Sequence, residues 1–128
     1  MILLDTYTLI GVAAEPGRLS TAARNLIEEP DSRLFVSAIT AWEIHVAVQK
    51  GRLALNRPPR EWLAQAISDY VIDVTAIDWE IASLAAELPK HHADPADRLI
   101  VATAVMRNLV LLTPDKNIHK YNQAKVLW

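Results

Sequence analysis

A chain of 128 residues, 52% apolar and 22% charged, has enough hydrophobic surface for one compact core, which excludes both a disordered chain and a pair of full-sized domains. Thirteen basic residues against fifteen acidic ones leave a net charge of −2, so no global field attracts a polyanion, and any nucleic acid must be held by local patches or by cations. The absence of cysteine excludes a disulfide framework and thiolate metal sites and is compatible with a reducing cytosol.

The opening residues, MILLDTYTLIGVAAEPGR, have no basic leader, and Asp5 interrupts their apolar run, so they do not read as a secretory signal. ILLD (2–5) predicts a first strand with Asp5 at its carboxyl end. Ser20 is placed to cap a helix running to about Glu29, ahead of Pro30. LFVS (34–37) predicts a second strand, followed by a helix opened by Ser37 or Thr40 and ending near Lys50, with Gly51 suited to the left-handed position after it. Pro59 starts the next helix, VIDV (71–74) predicts a third strand, and Thr75 is expected to cap a helix through about Leu88. Asp94 and Pro95 open a further helix that Asn108 closes, and LVLLT (109–113) and the short KVLW (125–128) complete the strands. The longest charge-free apolar segment, Leu99 to Met106, falls far short of the ~20 residues of a membrane span, so the expectation is a soluble, cytoplasmic protein.

Most strand candidates are apolar on consecutive positions, which predicts burial on both faces, as in a parallel sheet. Strands alternating with helices then give an α/β fold, a three-layer α/β/α sandwich with a mainly parallel central sheet, as one domain over 1–128. Ligands of such folds bind beyond the carboxyl ends of the strands.

Four acids stand out against that frame. Asp5 ends the first strand, although an isolated Asp there serves equally well as a turn or cap residue. Glu43 shares a helical stripe with Ile39, Val46 and Ala47, where an ionised carboxylate is costly unless paired; the alternative is a rolled helix that exposes it beside His45 or Lys50. In HHADPADRLIVATA, capping accounts for Asp94, with Pro95 at the first helical position. Asp97 instead begins a stripe continuing through Val101, Ala104 and Val105, which faces the sheet. Asp115 follows the last long strand and could cap the turn KNIHKY.

Brought together, these carboxylates would repel. Two unit charges ~4 Å apart cost ~4 kcal/mol at an effective dielectric of 20. Either a pKa rises or hard divalent cations neutralise the cluster, and all-oxygen ligands favour Mg²⁺ or Mn²⁺ over zinc. Sites of this kind suit hydrolysis of a phosphodiester by metal-activated water.

MILLDTYTLI, VSAITAWEI, LPKHHADPADRLIVATA and LLTPDKNI together resemble the successive motifs of PIN-domain ribonucleases, specifically the VapC-type toxins of toxin–antitoxin pairs, over nearly the whole chain. The resemblance implies a PIN fold and Mg²⁺- or Mn²⁺-dependent endoribonuclease activity. Asp5, Glu43 and Asp97 match the three acidic metal-site residues, Asp115 matches the fourth and more variable one, and Thr6 and Thr113 fall where small hydroxyl residues accompany them. Also implied are an RNA substrate, an antitoxin protein that covers the acidic site, often by inserting an Arg, and a homodimer. Two positions depart from the pattern: Tyr7 stands where His is frequent, and Ala47 where Lys is frequent.

Among the remaining candidates, His91 and His92 read as loop or surface groups, and Trp42 and Trp62 as core or interface aromatics. Lys50, Arg52, Arg57 and Arg60 concentrate positive charge around one turn and could meet phosphates, or form a solvated face. Two other functions compete. One is a catalytically silent PIN-fold module that binds a protein; the other is a phosphoryl-transfer domain with Asp5 as acceptor, disfavoured because LDTYT lacks the second Asp of a D-x-D site.

Overall fold

The computed structural model describes residues 1–128, and in it five strands form one sheet in the order β3-β2-β1-β4-β5. They are β1 (Ile2–Leu4), β2 (Leu34–Ser37), β3 (Ile72–Thr75), β4 (Val110–Leu112) and β5 (Val126–Leu127), and every neighbouring pair is parallel. The helices are α1 (Thr6–Ala13), α2 (Thr21–Glu28), α3 (Ile39–Gln49), α4 (Pro59–Asp69), α5 (Trp79–Glu87) and α6 (Pro95–Met106), with short 3₁₀ turns at Pro16–Arg18 and Ile118–Lys120.

Strand pleating divides the core in two. Ile2 and Leu4 of β1, with Leu34, Val36, Ile72 and Leu112, pack under α1 to α4 against Leu9, Ile44, Trp62 and Leu63. Leu3 and Leu111, pointing to the opposite face, pack under α5 and α6 against Ile81, Ile100, Val101 and Tyr121. Both faces are therefore covered, which is why the strands read as unbroken apolar runs and why the fold is a three-layer α/β/α sandwich.

The sheet order also locates a crevice. The chain runs from central β1 outward through β2 to β3, then returns to the other side of β1 for β4 and β5. Connections leave β1 and β4 in opposite directions, and that switch point, beyond the carboxyl ends of the two strands, is where such sheets accept ligands.

Helix starts follow local chemistry. The side chains of Asp5, Ser20, Asp78 and Asp94 accept hydrogen bonds from backbone N–H groups of the first turns of α1, α2, α5 and α6. Two sequence expectations are corrected here. Thr75 is the last residue of β3 rather than a cap, and Asp78 caps α5, because the strand extends to pair Thr75 with Ser37. Helix α1 was absent from the expected elements, since TYTLIGVA contains two Thr, a Val and a Gly, all weak helix formers; its Asp5 cap and the burial of Leu9 and Ile10 compensate. Gly51 and Asn108 adopt left-handed backbone after α3 and α6, with φ of 70° and 52°.

Candidate active site

Asp5 reaches the crevice because it ends β1 and caps α1 at once. Its Oδ1 accepts the Thr8 backbone N–H at 2.8 Å and lies 2.6 Å from the Thr8 hydroxyl, while the Thr113 hydroxyl donates to Oδ2. The Thr8 hydroxyl is also 2.8 Å from the Leu112 carbonyl oxygen, which ties α1 to β4. Asp5 is thereby held rigidly and is only 5% exposed.

Glu43 projects from the middle of α3 toward the same crevice, half-buried, and its Oε1 accepts from the Thr6 hydroxyl at 2.6 Å. Thr6 also lies 3.1 Å from the Thr40 hydroxyl, so a small hydroxyl cluster fixes the α1–α3 approach. Asp97 enters from the first turn of α6, and Asp115 from the loop after β4, where its Oδ1 accepts the backbone N–H groups of Asn117 and Ile118 at 2.8 and 3.3 Å. Asp5, Glu43, Asp97 and Asp115 all line one cleft of about 470 Å³, together with Thr6, Tyr7, Arg18, Ala47 and Arg52. Size alone does not select this cleft, since a cavity of about 710 Å³ lies at the opposite ends of the strands; there, however, Arg33 is paired with Asp73 and Arg24 donates to the Pro16 carbonyl.

Two residues at the site were read differently from sequence. His92, expected in the loop or on the surface, has its Nε2 3.1 Å from Asp97 Oδ2 and 3.0 Å from Asp115 Oδ2. Its Nδ1 accepts the Asp94 backbone N–H at 3.1 Å, which assigns the proton of the neutral ring to Nε2, shared between the two carboxylates. Asp94 does cap α6, through Ala96 N–H at 2.9 Å, but one of its carboxylate oxygens also lies within 4.8 Å of oxygens of Glu43 and Asp97. The available signal was helical geometry: residues 94 and 97, three apart, share one face of the first turn. Thr8 was missed because nothing in a Thr at the third position of an unrecognised helix marks it as a partner of Asp5.

Other candidates lie elsewhere. Arg98 turns away from the cleft and donates to carbonyls of Ala86, Leu88, Pro89 and His92, pinning the loop that presents His92. Of Lys50, Arg52, Arg57 and Arg60, Arg52 alone lines the cleft. Trp62 is core, whereas Trp42 is largely exposed and His91 stacks edge-on against Tyr121.

Burial and mutual repulsion dominate the electrostatics. Burial pushes the Asp97 carboxyl up to about 8, aided by the charges of Glu43, Asp94 and Asp115. Burial likewise raises Asp5 despite its Thr113 and Thr8 hydrogen bonds, and raises Glu43 despite Thr6. Asp115 moves the other way: burial opposes its charge, but hydrogen bonds from His92 and from the Asn117 and Ile118 N–H groups outweigh it and hold the carboxyl below its ordinary value. Such a cluster is protonated in part when alone and is suited to a hard cation; the oxygens of Glu43, Asp94 and Asp97 form one compact donor set, and His92, Asp97 and Asp115 another.

Against known proteins, the family model described as the PIN domain matches residues 2–124. The chain is 36% identical over 130 residues to Ribonuclease VapC22 of Mycobacterium tuberculosis (strain ATCC 25618 / H37Rv), covering 99% of this chain and 98% of that protein. Among solved structures, VapBC2 from Rickettsia felis bound to a DNA fragment from their promoter superposes with a TM-score of 0.71 at 15% identity, over 99% of this chain and 98% of the other. DNA-bound VapBC from Salmonella typhimurium gives 0.71 at 21% identity, over 98% and 96%, and these two share the fold. With a parallel sheet of this order, acids gathered at its switch point and a family match across almost the entire length, the chain belongs to the PIN domain family, among its VapC-type members.

Proposed function

We propose that this chain is a Mg²⁺- or Mn²⁺-dependent endoribonuclease, a single domain over 1–128 that acts as the toxin of a toxin–antitoxin pair in the cytoplasm. The observation that carries this reading is the gathering of Asp5, Glu43, Asp97 and Asp115, from four separate segments, in one cleft where burial raises three of their pKa values. The ribonuclease relative supports the activity, and the VapBC neighbours support an antitoxin partner. No helix is long and apolar enough to cross a membrane.

In this reading Asp5, Glu43, Asp97 and Asp115 hold the divalent cation, with Asp94 and His92 adjoining. A bound cation supplies neutralisation of the cluster, acidification of water and polarisation of the scissile phosphate. Thr6, Thr8 and Thr113 orient the Glu43 and Asp5 carboxylates, so little reorganisation is needed when substrate arrives. His92, with Nδ1 committed to the Asp94 N–H, presents a proton to Asp97 and Asp115 and keeps them side by side. An antitoxin Arg entering the cleft would find the same carboxylates.

The test is Asp97→Asn. Wild-type protein should cleave single-stranded RNA with Mn²⁺ or Mg²⁺ and bind Mn²⁺ by calorimetry. The variant should lose on the order of 100-fold or more in rate, together with most of its Mn²⁺ affinity. A variant that cleaves as fast as wild type, or a wild type inert with both ions, would sink the reading.

A further inference from the structure

The cleft contains a second set of groups whose chemistry is opposite to that of the acids. Arg18, from the turn after α1, and Arg52, from the loop after α3, both line it, yet neither forms an ion pair with any of its four carboxylates. The Arg18 Nε is paired with Glu15 outside the cleft, and its terminal nitrogens have no partner. Arg52 is exposed, and its guanidinium makes no hydrogen bond or ion pair within the chain. Cations meant to neutralise the acids would contact them; these two line the cleft with the terminal nitrogens of Arg18 and the guanidinium of Arg52 unpaired.

An aromatic surface adjoins them. The Arg18 guanidinium carbon sits 4.6 Å from the centre of the Tyr7 ring, and Tyr7 meets Trp128 edge-on with centroids 6.2 Å apart. Tyr7 follows Asp5 by two residues and is 39% exposed, so a large ring stays open to solvent next to the acids. Guanidinium groups bind phosphate through paired donors, and exposed aromatic or guanidinium planes stack on unpaired bases. With a net charge of −2, the chain as a whole gives a polyanion no attraction, so local groups of this kind must provide it.

We infer that Arg18, Arg52 and Tyr7 form a ribonucleotide subsite beside the acidic cluster. The two arginines hold phosphates of the strand flanking the scissile one, and the Arg18–Tyr7 stack takes a neighbouring base. This assignment rests on the nuclease reading above and gives it a substrate form, an unpaired strand rather than a duplex, because a stacked and paired base offers no face to Tyr7.

The experiment measures binding apart from cleavage, by fluorescence anisotropy of a fluorescein-labelled 12-nucleotide single-stranded RNA on Asp97→Asn protein with Mg²⁺ present. Arg18→Gln and Arg52→Gln should each weaken binding by about fivefold and flatten the salt dependence by about 0.7 in log K per log salt. Tyr7→Leu should weaken it by about tenfold while Tyr7→Phe stays within about twofold, a contrast that bulk alone would not produce. Arg60→Gln, outside the cleft, serves as the control and should change nothing. Unchanged affinity and salt slope in the double variant Arg18→Gln/Arg52→Gln would overturn the subsite, as would equal binding of a 12-base-pair RNA duplex. The two readings fail separately. RNA bound through these residues by a wild type that never cleaves removes the nuclease alone; metal-dependent cleavage indifferent to all three substitutions removes the subsite alone.

Discussion

Asp97 shows how one carboxyl can link stability to pH. Its pKa is raised in the folded state to about 8, against an ordinary value of 3.8, so the folded protein holds this proton more tightly than the unfolded chain. The resulting stabilisation is complete below about pH 4 and is lost as pH rises toward about 8; Asp5 and Glu43, also raised, act in the same direction, and Asp115, lowered, acts oppositely at acid pH. Thermal melts in EDTA should therefore show the wild type losing stability across that window, with Asp97→Asn giving a flatter profile. His92 makes a second residue-scale prediction. Its hydrogen bond is the leading influence that keeps Asp115 ionised against burial, so His92→Phe should raise the Asp115 pKa, read from the carboxyl carbon shift in an NMR titration. No movement would mean that the ring is merely adjacent.

At the scale of elements, the sequence patterns that worked were those with a local cause. Ser20, Pro59 and the Asp94–Pro95 pair mark helix starts through their own backbone and side-chain chemistry, and α2, α4 and α6 begin there. Helix α1 escaped because tertiary burial rather than propensity sustains it. One turn carries strain: Val71, between α4 and β3, has φ of 51°, a left-handed conformation that a β-branched residue adopts at a cost of about 1–2 kcal/mol. Because Val71 is 82% exposed, its side chain contributes little packing. Val71→Asn should thus stabilise the protein by up to about 1 kcal/mol, seen as a higher urea midpoint with unchanged slope; a lower midpoint would show that the isopropyl group has contacts that matter.

For the whole molecule, the proposed cation site would couple metal binding to folding. Carboxylates gathered only in the native state would bind a cation only there, so on the proposed reading Mn²⁺ at about 100 times its dissociation constant should add about 2.7 kcal/mol of stability. The gain measured by melting should increase from acid to neutral pH, since protons compete for Asp97, and should vanish with EDTA or in Asp97→Asn. A melting temperature indifferent to Mn²⁺ at neutral pH would mean that the cluster closes on itself through protons instead.

The chain's own pattern determined the alternation of strands and helices, the burial of both sheet faces and which acids stand at strand ends or on apolar stripes, because each of these leaves a short-range mark: consecutive apolar residues, a cap, a charge among apolar neighbours. Tertiary structure alone decided which donors meet those acids. Thr8 reaches Asp5 through a helix that local propensity does not announce, His92 comes between Asp97 and Asp115 because Arg98 pins its loop, and Arg18 and Arg52 face the cleft without touching its acids. Side-chain direction across elements distant in the chain depends on how layers pack, and no spacing along a single strand of residues encodes it.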